Sequence, residues 1–382
     1  MNSPSLSRRQ LLAGAAAGIT VSAAGRAFAD SPEAAAKTEG GTAWYDVQQW
    51  GVEGRGWTDT ARYFDRLPAR AKESVRPEVW ELSRHSAGMR VRFRTDATAI
   101  RVRYALLRPN LAMVHMPATG VSGLDLYAQD AAGRDRWLAV GFPTQQRMDF
   151  ELVSGLDPAP DGRLYTLYLP LYNGVESLEI GVDAKAMLRP SAPPAGKPVV
   201  LYGTSIMQGA CASRPGIAMT AILGRRLQRT MINLGFSGNG RMEREVGALL
   251  AELDPSVYVI DCLPNMKAEE VAQRAGPLVR QLRQARPETP ILLVEDRTRA
   301  SAPFVKELRD HHRACRAELR KAYQQLRAEG VPGLHYLRGE PLLGEDDEAT
   351  TDGSHPNDLG MVRYADAYER VLRPLLERKR RG

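Results

Sequence analysis

Cysteine, histidine and long apolar runs are scarce in this chain of 382 residues. The three cysteines, Cys211, Cys262 and Cys315, are an odd and widely spaced set that gives no disulfide framework. No Cys/His spacing is typical of a zinc site. His311 and His312 are adjacent in a charged helical segment, where we expect surface histidines. The sequence therefore implies neither a metal ion nor an organic cofactor.

A large excess of charge of one sign is also lacking. The chain carries 52 basic and 45 acidic side chains, and without Arg8, Arg9 and Arg26 of a predicted signal peptide the balance is 49 against 45, or +4. The basic run at 377–381 is typical of a solvated helix end. A balance so close to neutral does not indicate a nucleic-acid partner.

The first residues have the pattern of an export signal. Arg8 and Arg9 precede an apolar stretch rich in Ala and Gly, and Ala27-Phe28-Ala29 follows as a cleavage site. Paired arginines are typical of the twin-arginine route. The alternative, a membrane anchor, calls for a longer and more apolar run. We predict a signal peptide over 1–29, a disordered leader over 30–43, a periplasmic or extracellular location, and no membrane span in the mature chain.

Residues 44–188 alternate apolar and polar side chains in short segments. The segments are 89–94, 100–104, 136–140, 164–169 and 177–182. Such alternation, with β-branched and aromatic residues and breaks at Gly, Pro, Asn and Asp, is typical of antiparallel strands with one buried face. We therefore predict a β-sandwich domain over 44–188. The proline-rich segment 189–198 has no periodicity and is predicted to be a linker.

Beyond the linker, strands alternate with helices. Five short apolar runs are predicted as strands, at 199–202, 231–234, 257–262, 291–294 and 334–337. Helical spacing follows each of them, which predicts an α/β domain over 199–382 with a five-stranded parallel sheet in a flavodoxin-like order. In such folds the ligand site lies at the carboxyl ends of the strands.

Residues that could carry out acyl transfer follow these strand ends. Ser205 lies on the turn after the first strand, where a nucleophile can be held exposed on rigid backbone. Gly238 and Asn265 follow the second and third strands, and their backbone N–H and side-chain amide could stabilise an oxyanion. Asp352 and His355 could supply a base and its orienting carboxylate from one loop.

Together these segments resemble the SGNH, or GDSL, hydrolases. Gly-Thr-Ser205 is similar to the first sequence block of that family, Phe-Ser-Gly238 to the second, and Pro-Asn265-Met to the third. Asp352-Gly-Ser-His355 is similar to the fifth, the Asp-x-x-His signature. The four blocks occur in the family's order and extend over the whole second half of the chain.

Two positions depart from the usual family pattern. Thr204 stands where the first block normally has aspartate, and Leu263-Pro-Asn-Met stands where the third has Gly-x-Asn-Asp. Both variants are familiar in one branch, whose members also carry an N-terminal β-domain with a Gly-x-Asp-Leu-Tyr motif. This chain has Gly123-Leu-Asp125-Leu-Tyr127. We expect Asp125 and Tyr127 to serve packing and hydrogen bonding within the β-domain rather than ligand binding.

The resemblance implies a serine esterase. Ser205 would attack an ester carbonyl, His355 would take its proton, and Asp352 would orient the imidazole. The N–H groups of Ser205 and Gly238 and the amide of Asn265 would form the oxyanion hole. The expected substrate is a small-molecule or saccharide ester with a short acyl group, foremost acetyl, because the site loops contain no apolar run that would line a lipid channel. The sequence leaves the oligomeric state open.

Two other functions stay open at this point. The same acyl-enzyme could pass its acyl group to a sugar or another alcohol instead of water. The chain could also be a carbohydrate-binding protein with an inert second domain, although a full set of catalytic groups argues against that. All five tryptophans precede residue 138. We expect Trp57, in a Gly-rich segment, to border the cleft and to help hold a saccharide.

Overall fold

The computed structural model describes residues 36–378, and the N-terminal part of this range forms two antiparallel five-stranded sheets. Its strands are β1 (Lys37–Glu39), β2 (Thr42–Asp46), β3 (Arg90–Thr95), β4 (Ile100–Leu106), β5 (Asp125–Gln129), β6 (Asp135–Val140), β7 (Arg147–Val153), β8 (Arg163–Tyr168), β9 (Val175–Asp183) and β10 (Leu188–Pro190). Its helices are α1 (Pro77–Ser83) and α2 (Ala118–Val121). The sheet orders are β1-β2-β9-β4-β7 and β10-β3-β8-β5-β6. The predicted β-sandwich is confirmed.

The period-two pattern explains why these strands form. In β4, Ile100, Val102 and Tyr104 are buried, whereas Arg101 and Arg103 between them are partly exposed. The buried side chains join those of both sheets in one apolar core. β4 therefore presents one face to the core and the other to solvent.

Two segment predictions in this part are wrong in detail. The predicted disordered leader includes β1 and the first residues of β2, which pair as a hairpin across Gly40 and Gly41. Both glycines have positive φ, +56° and +82°, and a two-residue Gly-Gly loop is a turn signal that the prediction did not use. The predicted linker begins too early, because Arg189 and Pro190 still pair with Arg94 and Phe93 of β3. The predicted signal peptide over 1–29 lies outside the described residues.

The C-terminal part is a parallel sheet with helices on both faces. Its strands are β11 (Val199–Gly203), β12 (Met231–Gly235), β13 (Val257–Asp261), β14 (Ile291–Val294) and β15 (Leu334–Leu337). Its helices are α3 (Ser205–Gln208), α4 (Met219–Leu227), α5 (Arg244–Glu252), α6 (Ala268–Ala285), α7 (Lys306–Ala328) and α8 (Asp358–Arg378). The order β12-β11-β13-β14-β15 is the flavodoxin-like order that the sequence predicts.

Burial on both faces accounts for the continuous apolar runs of these strands. In β11, Val199 and Leu201 face a core that also contains side chains of α4 and α8. Val200 and Tyr202 face the other core, which contains side chains of α5, α6 and α7. The sheet is therefore rigid, and the loops at its carboxyl edge start from fixed points.

Trp57 is not at this carboxyl edge, and the prediction that it borders the cleft is wrong. Its side chain is 8% exposed and belongs to the core on the α5 side of the parallel sheet. The indole Nε1 donates to Glu252 Oε2, 2.7 Å away, at the end of α5. A Cβ on the neighbouring Gly56 would lie 3.4 Å from Ile232 and Leu253. Trp57 therefore packs near the amino end of β12, where the sandwich part meets the sheet.

Replacing Trp57 by alanine should lower the free energy of unfolding by about 3 to 5 kcal/mol, because it leaves a large cavity and removes a hydrogen bond. Denaturant unfolding measures this change. Phe142→Ala is the control, since Phe142 is 70% exposed and its removal should change the free energy of unfolding by less than about 0.5 kcal/mol. A raised KM of Trp57→Ala for an acetylated saccharide, with unchanged stability, would instead indicate that Trp57 borders the cleft.

Candidate active site

Ser205 begins a single helical turn directly after β11. β11 ends at Gly203, and Thr204 is the N-cap of α3, with its side chain accepting from Ile206 N at 3.4 Å. Four residues later Gly209 has φ +111° and ends the turn. Ser205 is only 6% exposed. The strand and the tight turn hold its side chain in a fixed direction.

The structure brings Ser205, His355 and Asp352 together. Ser205 Oγ lies 2.9 Å from His355 Nε2, and His355 Nδ1 lies 2.7 Å from Asp352 Oδ2. The other oxygen of Asp352 accepts from the backbone N–H groups of His355 at 2.7 Å and Ser354 at 3.0 Å. The loop 352–355 thus carries the imidazole and its carboxylate partner as one unit.

These contacts set the charge of Asp352. Partial burial works to raise the pKa of this carboxyl group, but the hydrogen bonds from the backbone and ring of His355 and from Ser354 outweigh it and lower the pKa to about 2. Asp352 is therefore a carboxylate at neutral pH. A carboxylate next to Nδ1 favours the tautomer in which Nδ1 is protonated and Nε2 is free to accept the Ser205 proton.

Arg297 holds the loop 352–355 in place through hydrogen bonds to Ser354. Its side chain is 2% exposed, and Nε and Nη2 donate to the carbonyl oxygen and the hydroxyl of Ser354. Asp296 pairs with the Arg297 guanidinium, and the other Asp296 oxygen lies 3.0 Å from His312 Nδ1. His312 is buried, so the prediction of a surface histidine is wrong at this position. Its partner is the carboxylate that holds Arg297.

The loop between β12 and α5 lies against the Ser205 turn. Phe236 N donates to Gly203 O at 3.0 Å, and a Cβ on Gly240 would lie 1.9 Å from the same oxygen, so only glycine permits this approach. Gly238 stands at φ +70° in this loop. Asn265 ends a 3₁₀ turn after β13 and contacts the same loop, its side-chain oxygen accepting from Asn239 N at 3.0 Å and from Gly240 N at 3.2 Å. The Asn265 NH2 group remains as a donor.

The β-sandwich part also reaches the site, through the loop that follows β4. The His115 ring lies 5.7 Å, centre to centre, from the His355 ring. Cys211 Sγ donates to His115 O at 3.4 Å. Burial raises the pKa of Cys211 to about 11, so its sulfur is a protonated thiol at neutral pH and a poor nucleophile. The sequence predicted that Trp57 borders the site, but the β-sandwich residue found beside the site is His115.

Within the part of the chain that the structure describes, His115, Cys211 and His355 are also the group that could hold a metal ion. Their ligand atoms lie within 4.8 Å of one another. Both ring nitrogens of His355 already have hydrogen-bond partners, Ser205 and Asp352. A cation bound here would have to displace one of them, so it would compete with the triad.

The Gly-x-Asp-Leu-Tyr motif joins the two parts of the protein near the site. Asp125, fully buried, accepts from Arg214 Nη1 at 2.9 Å and from Gly216 N at 2.7 Å. Tyr127 OH lies 2.7 Å from Arg214 Nη1. Trp137 Nε1 also donates to Asp125, at 2.9 Å. The motif thus anchors the segment that follows α3, across the two parts rather than inside the β-sandwich alone.

Sequence reasoning missed Arg297, His115 and Gln208. Gln208 Oε1 accepts from Ser237 N at 3.1 Å, and its Nε2 lies 3.0 Å from His85 Nδ1, which ties α3 to its surroundings. Arg297 is the third residue after a predicted strand, and that position is a usable signal. His115 is 240 residues from His355 along the chain, and no local pattern marks it.

Family profiles match both parts of this chain. The profile of the GDSL-like lipase/acylhydrolase family matches residues 196–373, and that of the N-terminus of SGNH-hydrolase-type esterases matches 42–188. A crystal structure from Bacteroides ovatus, described as that of a GDSL-like lipase, is 33% identical, has a TM-score of 0.83 and aligns over 88% of this chain and 98% of its own. This chain belongs to the GDSL-like lipase/acylhydrolase family. A search of curated proteins gave no match.

As a member of the GDSL-like lipase/acylhydrolase family, this protein is an ester hydrolase of the SGNH type. Two more distant structures share its fold over nearly their whole length. A salicylyl-acyltransferase from a tetracycline biosynthetic pathway is 19% identical, with a TM-score of 0.66 over 90% of this chain and 97% of its own. A family two carbohydrate esterase from Cellvibrio japonicus is 12% identical, with a TM-score of 0.58 over 88% and 98%.

Proposed function

We propose that this GDSL-family protein is an exported serine esterase that removes short acyl groups, foremost acetyl, from a carbohydrate. The observation that carries the mechanism is the hydrogen-bonded chain from Ser205 Oγ through His355 to Asp352. Ser205 attacks the ester carbonyl while His355 Nε2 takes its proton. Asp352 stabilises the imidazolium that forms.

The acyl-enzyme forms in a first step and is hydrolysed in a second. The tetrahedral intermediate places its oxyanion near the N–H groups of Ser205 and Gly238 and the NH2 group of Asn265. It collapses when His355 gives its proton to the leaving alcohol oxygen and the C–O bond breaks. Water, deprotonated by His355, attacks the acyl-serine, and Ser205 leaves with that proton as the free acid is released.

The preference for a short acyl group is supported by the surroundings of the candidate oxyanion hole. Six of the ten residues that line the pocket beside Gly238 and Asn265 have charged or polar side chains, among them Arg241, Lys267 and Arg299. Such a surface favours a small, polar acyl or sugar group over a long alkyl chain. The carbohydrate esterase from Cellvibrio japonicus, which shares the fold, suggests the saccharide.

Export remains a proposal that rests on residues 1–29. The paired arginines, the apolar run and Ala27-Phe28-Ala29 support the twin-arginine route. Between residues 36 and 378, no helix has the length and apolarity needed to cross a membrane.

The substrate proposal is tested with 4-nitrophenyl acetate, butyrate and octanoate and with an acetylated xylo-oligosaccharide. We expect kcat/KM to fall by about tenfold or more from acetate to octanoate, because a long alkyl chain would have to lie against the charged side chains of the pocket beside Gly238 and Asn265. Acetate should be released from the oligosaccharide. Equal or better turnover of the octanoate would contradict the short-chain preference.

Acyl transfer is the second candidate, and the salicylyl-acyltransferase of similar fold favours it. The two functions share the acyl-enzyme and differ only in the group that attacks it. Turnover of 4-nitrophenyl acetate in the presence of a free xylo-oligosaccharide separates them. Free acetate in proportion to nitrophenol indicates hydrolysis, whereas acetylated oligosaccharide indicates transfer.

A further inference from the structure

A pocket of about 430 Å³ lies beside Gly238 and Asn265, at the carboxyl ends of β13 and β14. Its walls are the loops after β12, β13 and β14 and the first two turns of α7. The charged or ionisable side chains that line it are Arg241, Lys267, Arg299, Glu307 and His311. None of them takes part in the bond-making and bond-breaking steps described above.

The charge of this pocket is positive and largely unpaired. In the described range 36–378, no carboxylate lies within 4.0 Å of the charged groups of Arg241, Lys267 or Arg299, although other cations of the same domain are paired, such as Arg363 with Asp346. Glu307 offsets one of the three charges. Burial lowers the pKa of His311, so this ring adds no charge at neutral pH. An excess of about two positive charges remains.

Backbone contacts hold two of these cations close to the reaction centre. Arg241 donates from Nε and Nη2 to Gly238 O, at 3.2 and 3.0 Å, so its guanidinium lies against the candidate oxyanion loop. Next to Arg299, Ala300 N donates to Gly353 O at 3.2 Å, within the loop that carries Asp352 and His355. The pocket therefore borders both the candidate oxyanion loop and the loop that carries Asp352 and His355.

We propose that this pocket binds a carboxylate carried by the substrate itself. The inference rests on the proposed esterase function and narrows its substrate class to acidic esters. Guanidinium groups match the planar geometry of a carboxylate, and unpaired cations in a pocket lower the free energy of a bound anion. The carboxylate belongs either to the alcohol, as in an acetylated uronic acid, or to the acyl group, as in a dicarboxylic half-ester.

Two matched substrate pairs distinguish these sources. For the alcohol side the pair is a methyl O-acetyl-glucuronoside and the corresponding methyl O-acetyl-glucoside. For the acyl side it is 4-nitrophenyl hemisuccinate and 4-nitrophenyl butyrate, which have acyl chains of equal length. At low ionic strength we expect the charged member of one pair to have the higher kcat/KM, by about tenfold, and added salt to reduce that ratio.

Charge-removing variants assign the preference to this pocket. Lys267→Gln and Arg299→Gln should each lower the charged-to-neutral ratio of kcat/KM by about three- to tenfold. Lys72→Gln is the control, because Lys72 is an exposed cation outside the pocket and its loss should leave the ratio unchanged.

The outcomes separate this inference from the proposed function. Turnover of the neutral acetyl ester without preference for either charged substrate would overturn the inference and leave the esterase intact. A preference that Lys72→Gln reduces as much as Lys267→Gln would also overturn it, because the effect would then come from the net charge of the protein. No turnover of any ester would overturn both.

Discussion

Ser205→Ala is expected to lower kcat on 4-nitrophenyl acetate by on the order of 10⁴-fold or more, with little change in KM. The alanine variant cannot form the acyl-enzyme, and any residual rate comes from the oxyanion donors and from binding alone. Ser205 Oγ is the hydroxyl in hydrogen-bond contact with His355 Nε2, which is why its loss should remove the covalent route.

A fluorophosphonate probe measures the same step independently of turnover. It should label the wild type and not Ser205→Ala. Ser301→Ala is the matched control, since Ser301 is an exposed serine and its removal should change neither labelling nor rate. Cys211→Ser tests the neighbouring thiol, which should not be required for labelling. Undiminished labelling and activity of Ser205→Ala would rule out the proposed mechanism.

Asp352→Asn should lower kcat by on the order of 10³- to 10⁴-fold while the fold is kept. The asparagine oxygen can still accept from the backbone N–H groups of Ser354 and His355, so the loop retains its shape. Its NH2 group, however, would donate to His355 Nδ1 and favour the tautomer in which Nε2 carries the proton. That nitrogen could then no longer accept the Ser205 proton.

The pH dependence gives a second measurement on Asp352. Its lowered pKa of about 2 keeps the carboxylate ionised well below neutral pH, so its protonation should cause no loss of wild-type activity above about pH 4. The stabilisation that its hydrogen bonds provide is present above the ordinary aspartate pKa and is lost only as the pH falls towards 2. Near-wild-type kcat and an unchanged melting temperature in Asp352→Asn would show that Asp352 does not act on His355.

Local sequence pattern was sufficient for most of the fold. The period-two alternation in β4 and the apolar runs of β11 to β15 specify strands by themselves, because each residue's burial is set by its place in a regular pleat. The proximity of Ser205, Asn265 and His355 could also be anticipated, since loops after parallel strands meet at one edge of the sheet. The hairpin at Gly40 and Gly41 was not predicted only because its Gly-Gly turn signal was not used.

Side-chain surroundings were less accessible to sequence reasoning. A tryptophan in a glycine-rich segment suits a sugar platform as well as a core position, and only the packing of Trp57 near α5 decides between them. His312 has the sequence context of a surface residue, yet its neighbour in space is Asp296. In both cases the deciding partner is distant along the chain.

The sequence by itself determined the β-rich part, the α/β part and the residues that can form a triad, because periodicity and strand-end position are local properties. Only the tertiary structure decided how Arg297 holds the loop of Asp352 and His355, how His115 reaches the site from the β-sandwich, and that Lys267 and Arg299 line one pocket. These features depend on which side chains meet in space, and contacts between residues far apart in the chain leave no periodic trace in it.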